Sequence, residues 1–285
     1  MNINFGSCFL GRIIILDNGN IELTVTLDVG PRIIGLRPKN GFNVMFEDIN
    51  DVINKDCSLY YGEGAKWHIY GGHRLWLSPE DISTYYPDNE KVEYFIGKNS
   101  VVFKPRSWSK VDVQPALEVE FLTDNQISVT HKITNLGAKR EFCIWALTVM
   151  KSGGEMTFDL SKEDTGLLAN RNIVLWPYSS LKDDRLILED DKIKLKSNIR
   201  VPEAFKIGAY NKNIRAKYVL KENARTQVFI KENTAIDGAN FPDYFCNFES
   251  YCNNYIHEVE TLSGFQIVAQ NDEFSYTEKW SVFCI

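Results

Sequence analysis

The sequence lacks the short motifs that mark several common chemistries. It contains no G-x-x-x-x-G-K-[ST] phosphate loop, no G-x-G-x-x-G opening a helix, no G-x-S-x-G turn and no H-E-x-x-H pair. Its six cysteines include no C-x-x-C pair, and Cys252 with nearby His257 offers too few ligands for zinc. The absences remove support for nucleotide-dependent, serine-hydrolase and zincin functions. They predict no metal and no cofactor, with the cysteines as buried free thiols.

Excess positive charge and long apolar runs are also missing. The net charge is −6 and the isoelectric point is about 5.4, which disfavours nucleic acid and anionic membranes as partners. No apolar run approaches the roughly 20 residues of a membrane helix. The first residues carry no basic region, and the apolar run 13–16 is too short for a signal peptide. We therefore expect a cytoplasmic protein with no membrane partner.

Apolar and polar residues alternate with a period of two along most of the chain, which is typical of half-buried strands. The turn sequence 17–20 predicts a hairpin over 12–27. Further strands are predicted at 30–36, 92–96, 101–104, 117–121, 127–133, 142–150, 185–188, 192–196, 216–220, 227–230, 244–251, 256–262, 265–269 and 274–283. Helical signals are limited to single turns near 50–55 and 161–164.

No linker rich in glycine, proline or serine divides the chain, and no short repeat recurs. So many antiparallel strands in one uninterrupted chain predict two large sheets packed face to face. We therefore predict an all-β fold, a single-domain β-sandwich of two large, mainly antiparallel sheets that spans residues 1–285.

The segment 70–80, Tyr-Gly-Gly-His-Arg-Leu-Trp-Leu-Ser-Pro-Glu, brings together several chemically useful side chains. Trp76 offers a flat apolar face, Arg74 a planar fork of donors, and His73 a proton that moves near neutral pH. The paired glycines allow a close backbone approach or a positive φ. This combination is suited to a polyhydroxylated ring, which needs stacking on one face and hydrogen bonds around its rim.

A second polar segment lies near the end of the chain. In a strand over 256–262, Glu258 and Glu260 share one face, and Glu249 lies on a neighbouring strand. These carboxylates either line a polar hollow or belong to an ordinary solvated face. Lys206 is a polar residue in an apolar setting, where the alternative is a lysine whose stem covers apolar surface. His131 and Trp145 lie in apolar runs and are interpreted as core residues.

Four stretches, 30–36, 69–72, 259–261 and 274–280, resemble in order the conserved elements of aldose 1-epimerases. The chain is therefore similar to the galactose mutarotase-like superfamily. It resembles most closely a branch marked by glycine-glycine-histidine-arginine or lysine-leucine-tryptophan, followed by proline-glutamate. Loosely, the resemblance spans the whole chain. It implies a β-supersandwich whose concave sheet binds a mono- or oligosaccharide.

The resemblance also implies the chemistry of anomer interconversion. A carboxylate takes the proton of the anomeric hydroxyl, and a histidine protonates the ring oxygen so that the ring opens and recloses. By position Glu260 matches the base, while Glu258 and Glu249 match its partners or acceptors for sugar hydroxyls. Arg74 and Trp76 would hold hydroxyls and stack on the ring, and Lys206 would supply a further donor.

The chain departs from the family pattern at both family histidines. Tyr70 occupies the place of the first histidine, and the stretch 146–148 near the second contains none. The acid role is therefore assigned to His73, with Tyr70 as the next candidate. We expect His73 and Glu260 to lie within about one sugar ring of each other, across a cleft lined by Trp76 and Arg74.

Three functions remain open at this point. The first is a sugar mutarotase or epimerase, the second is a sugar-binding protein without turnover, and the third is a carbohydrate-cleaving enzyme on the same fold. Loss of the family histidines favours binding alone, whereas retention of Glu260 with His73, Arg74 and Trp76 favours catalysis. Whether the chain forms a homodimer is also left open.

Overall fold

The computed structural model describes residues 1–285, most of which form strands. The strands are β1 (Asn2–Cys8), β2 (Gly11–Asp17), β3 (Ile21–Thr26), β4 (Ile33–Pro38), β5 (Asn54–Asp56), β6 (Lys66–His68), β7 (Gly72–Ser78), β8 (Glu93–Ile96), β9 (Ser100–Lys104), β10 (Val113–Thr123), β11 (Gln126–Asn135), β12 (Arg140–Lys151), β13 (Glu155–Asp159), β14 (Val174–Leu175), β15 (Leu186–Glu189), β16 (Lys192–Lys196), β17 (Phe205–Ala209), β18 (Asn213–Glu222), β19 (Arg225–Thr234), β20 (Phe248–Cys252), β21 (Ile256–Leu262), β22 (Gln266–Val268) and β23 (Glu273–Cys284). Helices are limited to α1 (Ser58–Tyr61), α2 (Pro242–Phe245) and a 3₁₀ turn at Ile82–Thr84. Neither α-helix is long and apolar enough to span a membrane.

The strands form two large antiparallel sheets. Sheet 1 has 11 strands in the order β1-β2-β3-β4-β7-β12-β21-β20-β17-β14, with β22 paired to β12. Sheet 2 has 10 strands in the order β15-β16-β13-β18-β19-β23-β11-β10-β9-β8. Strands β5 and β6 form a separate small sheet. Sheet 1 contains strands from near both ends of the chain, whereas the earliest strand of sheet 2 is β8 and its last is β23.

The main core lies between the two large sheets. One cluster of 36 buried apolar residues contains side chains from both, such as Ile14, Val25 and Val259 of sheet 1 with Val129, Phe158 and Trp280 of sheet 2. Alternate residues of each strand contribute to it, because successive side chains of a strand point to opposite faces. The predicted all-β sandwich of two large antiparallel sheets is therefore confirmed.

Most predicted strands are present, but the helical turns are not. The hairpin predicted over 12–27 is formed by β2 and β3, paired from Ile13 with Thr26 to Asp17 with Glu22. The predicted helical turns near 50–55 and 161–164 do not form. The first leads into strand β5, and a helix instead begins at Ser58, while the second remains irregular.

The glycine-rich segment 70–80, in which no strand was predicted, contains the central strand β7. Gly71 and Gly72 precede or begin the strand with φ of 99° and 63°. A Cβ on Gly71 would lie 2.1 Å from the carbonyl oxygen of Phe46, and one on Gly72 would lie 2.2 Å from that of Ile33. The two glycines therefore allow neighbouring backbone segments to approach closely, and this approach leaves no room for a side chain.

Strand β7 is buried on both faces, because a third layer covers the outer face of sheet 1. Leu75 and Leu77 pack toward sheet 2. Trp76, on the opposite face, packs with Trp67 and Ile69 from the segment that leads into β7. The outer face of sheet 1 is therefore a second interior, and it contains the polar residues described next.

Candidate functional site on the outer face of sheet 1

One row of residues crosses five strands of sheet 1 on its outer face. Arg74 of β7 pairs with Leu147 of β12, which pairs with Glu260 of β21. Glu260 pairs with Glu249 of β20, and Glu249 pairs with Gly208 of β17. Paired residues of neighbouring strands project from the same face. The register therefore gathers on one surface residues that are far apart in the sequence.

The next row supplies the remaining polar residues. Glu258 pairs with Tyr251, and Tyr251 pairs with Lys206. Lys206 extends from this row to the first one, where its Nζ lies 2.6 Å from Glu249 Oε2 and 3.0 Å from Glu260 Oε2. We call Lys206, Glu249, Glu258 and Glu260 the outer cluster. The structure thus brings together four of the residues singled out in the sequence.

The outer cluster is almost completely shielded from water. Lys206 is 7% exposed, Glu249 1% and Glu260 0%, whereas Glu258 is partly exposed. Although burial opposes the charge, the carboxylates of Glu260 and Glu249 raise the pKa of Lys206 well above its usual value. Lys206 is therefore a permanent cation that both carboxyl groups share.

Two oxygens of the cluster remain without a hydrogen-bond partner, namely Oε1 of Glu249 and Oε1 of Glu260. Burial raises the pKa of Glu249 to about 8, and repulsion from Glu260 adds to this effect. Burial, followed by the charge of Glu260, also raises the pKa of Glu258 well above its usual value. The cluster thus holds protonated carboxyl groups beside a carboxylate at neutral pH.

A stack of three indoles borders the outer cluster. The rings of Trp76 and Trp145 lie 5.3 Å apart with an interplanar angle of 16°, and those of Trp67 and Trp76 lie 5.2 Å apart at 29°. Trp145 donates its indole N–H to Glu260 Oε2 at 2.9 Å. Sequence reasoning interpreted Trp145 as a core residue, because its strand is apolar throughout; only the register with β21 shows its polar contact.

Arg74 completes the indole stack as a buried cation. Its guanidinium carbon lies 4.0 Å from the ring centre of Trp76 and 5.0 Å from that of Trp67. Arg74 is 1% exposed, yet its Nε and Nη1 atoms have no hydrogen-bond partner. Arg74 and Trp76 therefore lie on the same face of sheet 1 as the acidic residues.

His73 does not lie beside Glu260, so the expected geometry of the two is wrong. His73 pairs with Thr148 and projects between the sheets, because it neighbours the outward Arg74 in the same strand. Its Nε2 lies 2.6 Å from His131 Nε2, and its Nδ1 lies 2.9 Å from Thr148 Oγ1. Tyr70, the second candidate acid, instead donates its hydroxyl to Asn89 Oδ1 at 2.6 Å.

The histidine pair is neutral and fully bonded. His131 Nδ1 lies 3.0 Å from the carbonyl oxygen of Tyr276, which can only accept, so His131 accepts at Nε2 from His73. Burial lowers the pKa of His131 to about 4, and burial with the neighbouring His131 lowers the pKa of His73 well below its usual value. His131 is thus a core histidine, as predicted, and His73 has no free nitrogen for a ligand.

A buried ion pair adjoins the histidines. Lys231 Nζ lies 2.9 Å from Glu278 Oε1, and it also donates to the carbonyl oxygens of Ala146 and Val259 at 2.8 and 3.1 Å. We call His73, His131, Lys231 and Glu278 the inner cluster. The two histidines and Glu278 offer ligand atoms within 4.8 Å of one another, a donor set that suits zinc.

The contacts of Glu278 do not fit a metal ligand. Its Oε1 accepts from Lys231 and from the hydroxyl of Thr261, and its Oε2 accepts from Trp280 Nε1 at 2.9 Å. A metal ion there would also face the ammonium group of Lys231. The inner cluster is therefore a satisfied polar network that ties the two sheets together.

Comparisons with known proteins place the fold but not the activity. No protein-family model and no curated protein matches the chain. The Slr1438 protein from Synechocystis sp. PCC 6803 is similar in structure, with a TM-score of 0.57 and 9% identity over 99% of this chain and 95% of that one. At this identity the likeness shows the fold alone.

Two further solved structures are more distant. YeaD from Salmonella typhimurium, provisionally named a mutarotase, has a TM-score of 0.47 and 9% identity over 98% of this chain and 93% of that one. The protein HI1317 has a TM-score of 0.46 and 12% identity over 99% of this chain and 100% of that one. The functional conclusion below therefore depends on the residues of the outer face.

Proposed function

We propose that the protein binds a sugar on the outer face of sheet 1 and interconverts its anomers with a pair of carboxyl groups. The observation that carries this proposal is the outer cluster: a shared lysine, a carboxylate, protonated carboxyl groups and two buried oxygens without partners. A buried polar atom without a partner is uncommon and calls for an explanation. A ring of hydroxyl groups would supply the missing donors.

Glu260 is the proposed base. Lys206 and Trp145 both bind its Oε2, which leaves Oε1 free to accept the proton of an anomeric hydroxyl. Two donors on one oxygen fix the orientation of the carboxylate, and they disperse charge that would otherwise be costly to bury. The position of Glu260 in the family resemblance agrees with this role.

Glu258 is the proposed acid, in place of His73. It shares the outer face with Glu260, two residues and about 7 Å along the strand, and it is partly exposed. Burial and the charge of Glu260 raise its pKa well above the usual value, which favours the protonated form. As Glu260 removes the anomeric proton, Glu258 protonates the ring oxygen and the C1–O5 bond breaks. The open-chain aldehyde then rotates and recloses by the reverse proton transfers.

The indole stack supplies the apolar platform. Trp145 and Trp76 lie in the row next to Glu260 and Arg74, and flat indole faces are suited to the C–H surface of a sugar ring. Tyr251 and Trp176, both partly exposed, lie at the accessible side of Lys206.

We further propose that residues 1–285 act as a single domain and that the protein is cytoplasmic, which accords with its six free cysteines.

The test is an anomer-exchange measurement by NMR on monosaccharides first selected by saturation-transfer binding. We expect the protein to accelerate exchange of a bound sugar, and Glu260→Gln to reduce the rate at least 100-fold while binding persists. Glu120→Gln, an exposed carboxyl on sheet 2, is the matched control and should change nothing. Binding without acceleration would leave a sugar-binding protein, and release of a free sugar from a glycoside would indicate cleavage.

A further inference from the structure

Arg74 differs from the other two buried arginines of the chain. Arg32 forms a double hydrogen bond to Asp88 at 2.7 and 3.0 Å, and Arg185 binds Asp183 at 2.8 and 2.9 Å. Arg74 has no carboxylate partner, although it is 1% exposed and lies over two indoles. An uncompensated buried charge is strongly destabilising. Arg74 is therefore the one buried arginine that has no carboxylate as a hydrogen-bond partner.

No carboxylate of the chain forms a hydrogen bond with Arg74. Within its own row, Arg74 is followed by apolar Leu147 and only then by Glu260. Glu258 and Asp88 attract the guanidinium, but neither forms a hydrogen bond to it. A guanidinium presents two parallel N–H donors, and the group that matches them best is a carboxylate.

We propose, on the basis of the proposed function, that the sugar is a uronate and that Arg74 receives its carboxylate. Arg74 and Glu260 are separated by two strand spacings, about 10 Å between backbones. Leu147, which lies between them, is 3% exposed beneath the covering layer, so a pyranose ring can occupy this position only after that layer moves. In a hexuronate the carboxylate is attached at C5, across the ring oxygen from C1. One orientation therefore directs the carboxylate at Arg74 and the anomeric hydroxyl at Glu260.

The charge of the site agrees with a monoanionic ligand. With Glu249 and Glu258 protonated, as their raised pKa values indicate, the remaining charges at neutral pH are Lys206, Arg74 and Glu260. Two cations and one anion leave one unit of positive charge. A single carboxylate neutralises it.

Access to Arg74 requires the segment that follows β7 to move. The indole N–H of Trp76 donates to the carbonyl oxygen of Thr84 at 2.7 Å, and the ring of Tyr85 packs edge-on against both Trp67 and Trp76 at about 5 Å. The hydroxyl of Tyr85 is bonded to Glu80, an exposed residue. Binding of the uronate should therefore displace Tyr85 from the indoles.

The test compares ligands on the unaltered protein before any variant is made. D-Glucuronate, D-glucose and D-glucuronamide share one ring and differ at the C5 substituent. We expect D-glucuronate to bind at least tenfold more tightly than the other two, because a bidentate hydrogen bond between two charged groups is stronger than one to a neutral group. The same series with D-galacturonate, D-galactose and D-galacturonamide covers the other common ring.

Two variants then assign the preference to Arg74. Arg74→Gln should abolish the preference for the uronate over the neutral sugar. Arg74→Lys keeps the positive charge but lacks the two parallel N–H donors of the guanidinium. It should retain part of the preference for the uronate even if the glutamine variant folds poorly. Arg106→Gln, which removes an exposed arginine, is the control and should leave all affinities unchanged.

Several outcomes would overturn the inference while leaving the proposed function intact. These are accelerated exchange of D-glucose with no preference for D-glucuronate, a preference that survives in Arg74→Gln, or tighter binding of D-glucose 6-phosphate than of D-glucuronate. If instead every sugar in both series shows unaltered anomer exchange, the proposed function fails, whatever Arg74 binds.

Discussion

The two faces of sheet 1 hold two buried polar clusters that differ in one respect. In the inner cluster, every nitrogen and oxygen of His73, His131, Lys231 and Glu278 has a hydrogen-bond partner within the protein. In the outer cluster and beside it, oxygens of Glu249 and Glu260 and nitrogens of Arg74 have none. The inner cluster lies between the two sheets, where it contacts β7, β12 and β21 of sheet 1, and the outer cluster lies on the opposite face of sheet 1.

This difference separates a structural network from a candidate site. A fully satisfied buried network rigidifies a fold, whereas unsatisfied buried groups are a cost that function explains. The inner cluster also fixes the outer one, because Lys231 binds the carbonyl oxygens of Ala146 and Val259, the residues next to Trp145 and Glu260. The comparison predicts that changes to the inner cluster affect stability and that changes to the outer cluster affect activity.

The largest effect is expected from Lys231→Met. Removing the ammonium group leaves Glu278 buried without its counterion, which should lower the free energy of unfolding by about 3–5 kcal/mol. Chemical denaturation followed by circular dichroism measures this. Lys162→Met, which breaks an exposed ion pair with Asp191, should have no measurable effect. Equal losses in the two variants would show that the inner cluster has no special structural role.

The second effect is expected from Trp145→Phe. The phenyl ring keeps most of the stacking but removes the N–H that binds Glu260. We expect anomer exchange to slow about tenfold or more, because the carboxylate of Glu260 loses a donor that orients it. The control is Trp108→Phe, whose indole nitrogen has no hydrogen-bond partner. If the two variants behave alike, the indole N–H of Trp145 has no role at the site.

The third prediction concerns pH and stability. Because the pKa of Glu249 is about 8 in the folded protein and 4.5 in the reference state, the folded state binds more protons between these values. Stability should therefore decrease as pH rises from about 4.5 to 8, and Glu249→Gln should reduce this slope, to which the raised pKa of Glu258 also contributes. Denaturation at several pH values measures it.

The inner cluster predicts the opposite slope in a lower pH range. The pKa of His131 is lowered from 6.5 to about 4 on folding, so the unfolded state binds more protons between these values. Stability should decrease as pH falls through this range. His131→Asn should reduce that loss. A variant at either cluster that left both slopes unchanged would contradict the assigned protonation states.

The fold could be predicted well from the sequence because the alternation of apolar and polar residues is visible within each strand. Alternation with a period of two is visible in each strand, so strands such as β16 and β21 were predicted with their observed bounds. Strand β7 was not predicted, because it is buried on both faces and its residues do not alternate between buried and exposed. The third layer that covers it comes from the segment directly before it in the sequence, which contains Trp67 and Ile69, and no local pattern shows that this segment folds back over β7.

One part of the site could be predicted because it depends on the same local alternation along a strand. Glu258 and Glu260 were assigned to one face because they are two residues apart in a strand, and the structure agrees. The opposite faces of His73 and Arg74 follow from the same rule, once β7 is known to be a strand. The contacts of Lys206 and Trp145 depend on the pairing of β12, β17, β20 and β21, which sequence alone does not fix.

The most direct test of the difference between the clusters is a ¹³C NMR titration of the glutamate side-chain carboxyl groups with a sugar. The probe is the uronate or aldose that binds most tightly in the saturation-transfer screen. The signals of Glu249 and Glu260 should shift on binding, because their free oxygens acquire donors, while the signal of Glu278 should not move. A shift confined to Glu278, or no shift at saturating sugar, would contradict the assignment of the outer face as the site.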